Sequence, residues 1–243
     1  MNLLQSLYSQ YLMYKYKKMI NKPIKEQHAI FNQLVKQGRK TAFGGKYHFK
    51  KIRNIKDFQH HIPVQDATTI APYIKQIMAH KKNILWPGLP QYFLLSSGVT
   101  GNIKYLPMTK ESVKNQIFGM GQIAYLSAAL LKDDAFASSQ SLVLTGPTSL
   151  DYVNDFPVGR ISGIARAKLP PQFFYNMIPK KSTLNMTNHE QMMRQIAVEV
   201  LASNNLRFMV GFPAWLIMLF KICLDITQSE NLHTYLPNLK MLY

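Results

Sequence analysis

The sequence predicts an α/β protein, and three observations carry that expectation. Amphipathic stretches at helical spacing recur along the chain. Short apolar runs bounded by turn residues lie between them, as at Ser141–Thr145 and Arg207–Val210. Glycine stands where such runs give way to further helical patterns, at Gly146 and Gly211. Helices packed on a mixed β-sheet are the expected architecture.

The elements follow in order. Residues 3–20 place Leu4, Leu7, Tyr8, Tyr11, Leu12, Tyr14 and Ile20 near helical period. Pro23 suits the first turn of a second helix ending at Gly38. Thr41–Phe49 reads as an irregular link, and residues 55–60 and 68–79 as short helices punctuated by Pro63 and Pro72. The apolar run at Gln91–Leu95 reads as a buried strand. Thr109 then caps a helix to Leu131, with Glu111 at its positive end. Residues 187–203 form an amphipathic helix, and Gly211 opens a strand-to-helix junction. Residues 1–80 are expected to form a helical entry segment and 81–243 an α/β portion.

With 243 residues and 47% hydrophobic content, the chain can bury a core and is not a disordered sequence. Its one cysteine, Cys223, cannot form an internal disulfide, which fits a reducing compartment. No signal-peptide pattern opens it and its longest apolar stretch, 212–220, is too short to span a bilayer, so a cytoplasmic protein without a membrane partner is expected. The net charge is +17, and from Lys15 to Lys56 thirteen lysines and arginines face only Glu26 and Asp57. Solvated helix faces account for such runs, and no specific nucleic-acid motif accompanies them; a non-catalytic polyanion-binding protein is the alternative reading.

Most familiar active-site patterns are missing. His60 and His61 are adjacent and lack further ligands at metal-binding spacing, so no metal site is expected. No Gly-x-Ser-x-Gly, Gly-x-Gly-x-x-Gly or Walker frame occurs, and no catalytic residue can be named. What remains is Ser96-Ser97-Gly98-Val99-Thr100-Gly101-Asn102-Ile103-Lys104. Glycines let backbone N–H groups approach a polyanion, the hydroxyls of Ser96, Ser97 and Thr100 add donors, and Lys104 adds a charge. This is the chemistry of a nucleotide-phosphate loop, and ATP is the expected ligand.

This loop, followed by the Tyr-x-Pro-x-Thr segment at Tyr105–Thr109, resembles the first ATP motif of the auxin-responsive Gretchen Hagen family of acyl-acid amido synthetases. These are adenylate-forming enzymes of the firefly-luciferase-like superfamily. Further blocks resemble the family's amino-terminal region: Thr41–Gly44, Ile55–Phe58, Ile62–Val64, Pro72–Ile74, Leu85–Gly88, Pro90–Phe93 and Gly211–Leu216. They are closer in style to bacterial members. Val99 stands where the family usually has threonine, a loss of about 0.5–1.5 kcal/mol if one hydrogen bond goes. The resemblance implies a ligase that joins a carboxylic acid to an amino acid through an acyl-adenylate, using ATP with Mg2+ carried on it. It further implies an acyl pocket near Gln122, Tyr125, Phe212 and Trp215. Relatives continue with a second nucleotide motif and a mobile carboxy-terminal domain, so the chain is expected to be the amino-terminal half of such an enzyme, inactive without its downstream half.

Overall fold

A computed structural model describes residues 3–96, 104–133, 135–169 and 176–243. It contains α-helices and two four-stranded sheets, so the predicted α/β class holds, with the strands divided between two sheets. The chain clusters into two units: Tyr14–Lys114 with Asp151–Val158, and Met1–Met13 with Asn115–Leu150 and Gly159–Tyr243.

Five helices come first: α1 (Leu3–Ile20), α2 (Pro23–Gly38), α3 (Ala42–Lys46), α4 (Ile55–His61) and α5 (Ala67–Met78). Pro23 sits in the first turn of α2, as its fixed φ favours. Gly38 is the last residue of α2, but no left-handed cap calls for it. A Cβ there would come within 2.5 Å of the Phe49 ring, so the glycine makes room for an aromatic. Phe49 packs with Val35 and Ile52, surrounded by Phe31, Phe43, Tyr47, Phe58 and Ile62.

The link expected at Thr41–Phe49 is instead α3 followed by a 3-10 turn at Phe49–Lys51. The reason is a well-supplied helix start. Buried Thr41 accepts from the Gly44 N–H at 2.9 Å and donates to the Gly38 carbonyl at 2.7 Å. The N–H groups of Ala42 and Phe43 donate to the carbonyls of Asn83 and Ile84. Those partners lie about forty positions downstream, beyond the reach of any local pattern. Pro72 does not end α5 but lies inside it, and Asp66 caps that helix through a reciprocal pair with Thr69.

The sheet of this unit has the order β2-β1-β5-β4. Strand β1 (Tyr92–Leu95) pairs antiparallel with β2 (Tyr105–Met108), and β4 (Asp151–Val153) pairs antiparallel with β5 (Phe156–Gly159). Between β4 and β5, Asn154 and Asp155 take positive φ of 46° and 62°, residue types that tolerate the left-handed turn a tight hairpin needs. Phe93, Phe156 and Val158 face Ile77 of α5 and Ile84 in a shared core.

The other unit holds a sheet of order β6-β3-β7-β8, every pair parallel: β3 (Gln140–Val143), β6 (Met177–Ile178), β7 (Leu206–Val210) and β8 (Met241–Leu242). Helix α6 (Lys110–Leu131) precedes β3, and α7 (Ile161–Ala167), α8 (Lys181–Leu184), α9 (His189–Leu201) and α10 (Pro213–Thr227) lie between the strands along the chain. Leu142, Leu144 and Met209 face a core built with Met193, Ile196, Ala197 and Val200 of α9 and Leu216, Leu219 and Cys223 of α10. Phe208 and Val210 point the other way, to Ala128 of α6 and Phe136. Covering both faces is what a parallel sheet demands, and it explains the near-continuous apolar runs of these strands.

Two tests follow from the first unit. Thr41→Ala removes a buried helix cap and should cost about 1–2 kcal/mol in urea denaturation. Asp66 is held down to about 2 by hydrogen bonds from Thr68 and Thr69. A carboxylate lowered in the folded state adds stability that is present above its unfolded value near 4 and is lost as pH falls toward 2. Acid titration of the melting temperature should therefore show a drop in that window that is smaller in Asp66→Asn.

Candidate nucleotide and acyl site

Strand β1 continues past its last ladder residue toward the Gly/Ser/Thr segment. The Ser96 N–H donates to the Lys104 carbonyl at 3.1 Å, and the Lys104 N–H donates to Ser96 Oγ at 3.0 Å. These bonds extend the β1–β2 ladder, in which Leu95 opposes Tyr105. Ser97, Gly98, Val99, Thr100 and Gly101 lie outside the described residues. Their flanks are thus pinned side by side at the end of a two-stranded ribbon. Ser96 Oγ is occupied as an acceptor, which leaves its O–H free to donate. Lys104 is exposed. A hydroxyl donor and an ammonium at this mouth are a donor set that fits phosphate oxygens.

Just beyond β2, Thr109 Oγ1 accepts from the Ser112 N–H at 3.2 Å and starts α6. Glu111 lies in its first turn, where a backbone N–H, helped by Thr109 and Trp86, holds its carboxyl below the usual carboxylate range. The Trp86 indole N–H donates to that carboxylate at 3.3 Å.

In the parallel sheet the chain leaves β3 toward β6, on one side, and leaves β7 toward β8, on the other. A ligand crevice in such sheets lies outside the carboxyl ends of the strands where the order reverses, here between β3 and β7. The residues found there are Leu144-Thr145-Gly146 after β3 and Gly211-Phe212-Pro213 after β7. The two exits press together, since a Cβ on Gly211 would meet Leu144 at 3.0 Å. Gly163 in α7 is equally constrained, with the Pro147 carbonyl oxygen 2.0 Å from where its Cβ would be. The loop is held further by Ser162 Oγ, which accepts from the Gly146 N–H, and by Asn185 Oδ1, which accepts from the N–H groups of Thr148 and Ser149.

Beneath this loop lies Arg166, only 1% exposed. Its guanidinium donates to the Val143 carbonyl at 3.0 Å and to the Pro179 carbonyl, tying the carboxyl ends of β3 and β6 together. Burial lowers its pKa to about 10, and Glu199 opposes that shift. Glu199, from α9, in turn accepts from the Lys180 N–H at 2.8 Å and from the Thr183 hydroxyl. Sequence reasoning missed Arg166, Glu199, Ser162 and Asn185. The one available signal was a lone arginine in the small-residue helix Ile161–Ala167.

The four residues assigned to an acyl pocket divide into two pairs. Phe212, 72% exposed, stands at the start of α10 with its ring 6.0 Å from that of Trp215, which also meets His189. Gln122 is buried on α6. Tyr125, one turn later, sets its ring edge-on to Tyr8, and its carbonyl accepts from Ser9. Among the described residues no three His, Cys, Asp or Glu side chains are grouped to hold a metal ion, and no helix is long and apolar enough to cross a membrane. Asp133, just after α6, is ion-paired with Arg207.

The model of the GH3 family N-terminal domain matches residues 12–229, and the chain belongs to that family. Two solved structures share its fold. One, a GH3.15 acyl acid amido synthetase, has a TM-score of 0.66 at 17% identity over 87% of this chain and 38% of its own. The other, AtGH3.15 acyl acid amido synthetase in complex with 2,4-DB, has a TM-score of 0.58 at 20% identity over 82% of this chain and 34% of its own. The chain thus spans less than two-fifths of the length of either. A comparison with curated proteins finds no match.

Arg166→Lys keeps the charge but loses the planar fork that reaches two carbonyls. It should destabilise the protein by about 1.5–3 kcal/mol in chemical denaturation. Stability unchanged within error would mean that the two carbonyl contacts contribute nothing.

Proposed function

We propose that this chain supplies the ATP-phosphate loop of an acyl-acid amido synthetase. The reading rests on the family match together with one observation: Ser96 and Lys104, the two ends of the Gly/Ser/Thr segment, are bonded face to face across a β-ribbon. A short ribbon is a stiff support, and positioning is what adenylate formation needs most.

ATP here is a substrate. A carboxylic acid oxygen attacks its α-phosphorus, the bond to the β-phosphate bridging oxygen breaks, and pyrophosphate leaves with that electron pair. The amine of an amino acid then attacks the acyl carbon, loses a proton and displaces AMP. In this scheme Ser96, Ser97 and Thr100 donate hydroxyl hydrogen bonds to phosphate, the backbone N–H groups of Gly98, Val99 and Gly101 line the cradle, and Lys104 balances charge that shifts onto the departing oxygens. Mg2+ arrives on the nucleotide and neutralises phosphate oxygens. Phe212 and Trp215, with Gln122 and Tyr125, are proposed to receive the apolar part of the acid. The 243 residues alone are expected to fall short of the full reaction, because the matched part makes up only 38% and 34% of the two solved relatives.

Acid-dependent exchange between ATP and labelled pyrophosphate tests this, run on the full open reading frame across aliphatic and aryl carboxylic acids. Exchange should appear with at least one acid, and Lys104→Gln or Ser97→Ala should lower it about 10- to 100-fold. No exchange with any acid would rule out the synthetase reading.

A further inference from the structure

Helix α1 wears its apolar side outward. At 100° per residue, Leu3, Leu4, Leu7, Tyr11 and Tyr14 fall on one face, and they are 75%, 76%, 53%, 58% and 65% exposed. The opposite face carries Ser9 and Leu12, which are the buried ones. A helix that only covered a core would do the reverse, placing the leucines inside and the serine out. The exposed stripe runs toward Lys15 and Lys18 on the same side, with Lys17 beside them. Residues 1–25 contain Lys15, Lys17, Lys18, Lys22 and Lys25 and no aspartate or glutamate.

We propose that α1 is a docking face for an anionic phospholipid surface. Leucines at the start of the stripe suit the acyl boundary, and tyrosines in its middle suit the headgroup level. Lysines then reach phosphate, their alkyl stems lying along the helix. The charge matches, since the whole chain carries +17 and this segment is purely cationic. A nucleic acid would use the lysines but leave the leucines in water, so the apolar stripe favours a bilayer. Among the described residues no helix is long and apolar enough to cross a membrane, and the proposed contact is peripheral. The direction α1 faces is legible only from which of its residues are buried.

The test is flotation of the purified chain with vesicles of phosphatidylcholine alone and of equimolar phosphatidylcholine and phosphatidylglycerol. Binding is expected to the second and not the first. The double variant Leu4→Ser, Leu7→Ser should lose about tenfold or more, as burial of apolar side chains predicts, with its melting temperature retained because both positions are exposed. Lys17→Gln with Lys18→Gln should weaken binding and flatten its salt dependence. No binding to anionic vesicles overturns the proposal. So does binding that ignores the Leu4 and Leu7 changes, which points to plain charge attraction of the kind nucleic acid would share. A dimer in solution that dissociates in the double leucine variant also overturns it, by assigning the stripe to a second copy of the chain.

Discussion

Strand β3 has no free edge. It bonds to β6 on one side and β7 on the other, with Leu142 wholly buried between them. Everything else in its unit follows from that position. A central parallel strand must bury both faces, so helices have to cover each, and the connections have to leave from the carboxyl end in opposite directions. The chain packs closely at the opening this creates. Gly163 and Gly211 sit where a Cβ would strike the Pro147 carbonyl and the Leu144 side chain.

Arg166 reinforces the same place by another means. A guanidinium that is 1% exposed carries a large desolvation cost, which shows as a pKa lowered to about 10. Its hydrogen bonds to two strand-end carbonyls and the facing charge of Glu199 offset that cost. Because Glu199 also receives the Lys180 N–H and the Thr183 hydroxyl, one network reaching from the buried Arg166 to the surface ties the ends of two strands to the start of α8.

The other unit solves a different problem. Its Gly/Ser/Thr segment, the proposed phosphate loop, is flanked by Ser96 and Lys104, and those flanks take their support from the sheet. The β1–β2 ladder continues through Ser96 and Lys104, and β1 is anchored by Phe93, which shares a core with Phe156, Ile77 and Ile84. Strand β5 also lies at β1's other edge, so residues 151–158 return late in the chain to brace a ribbon formed early.

The sequence by itself determined the α/β class and the span of α1, α2, α6 and α9, because helical periodicity and capping residues are local signals. It also picked out the Gly/Ser/Thr segment, through residue types whose chemistry does not depend on distant partners. It read α3 as a link, since the carbonyls that satisfy its first N–H groups belong to Asn83 and Ile84. It passed over β4, β5 and α7, elements of three, four and seven residues that are too short to show a period and are held by pairing with remote strands or by packing. The Arg166–Glu199 network joins positions from three elements and has no pattern along the chain. Only the tertiary structure decided which side of α1 faces out, because its two faces differ in burial far more clearly than in composition.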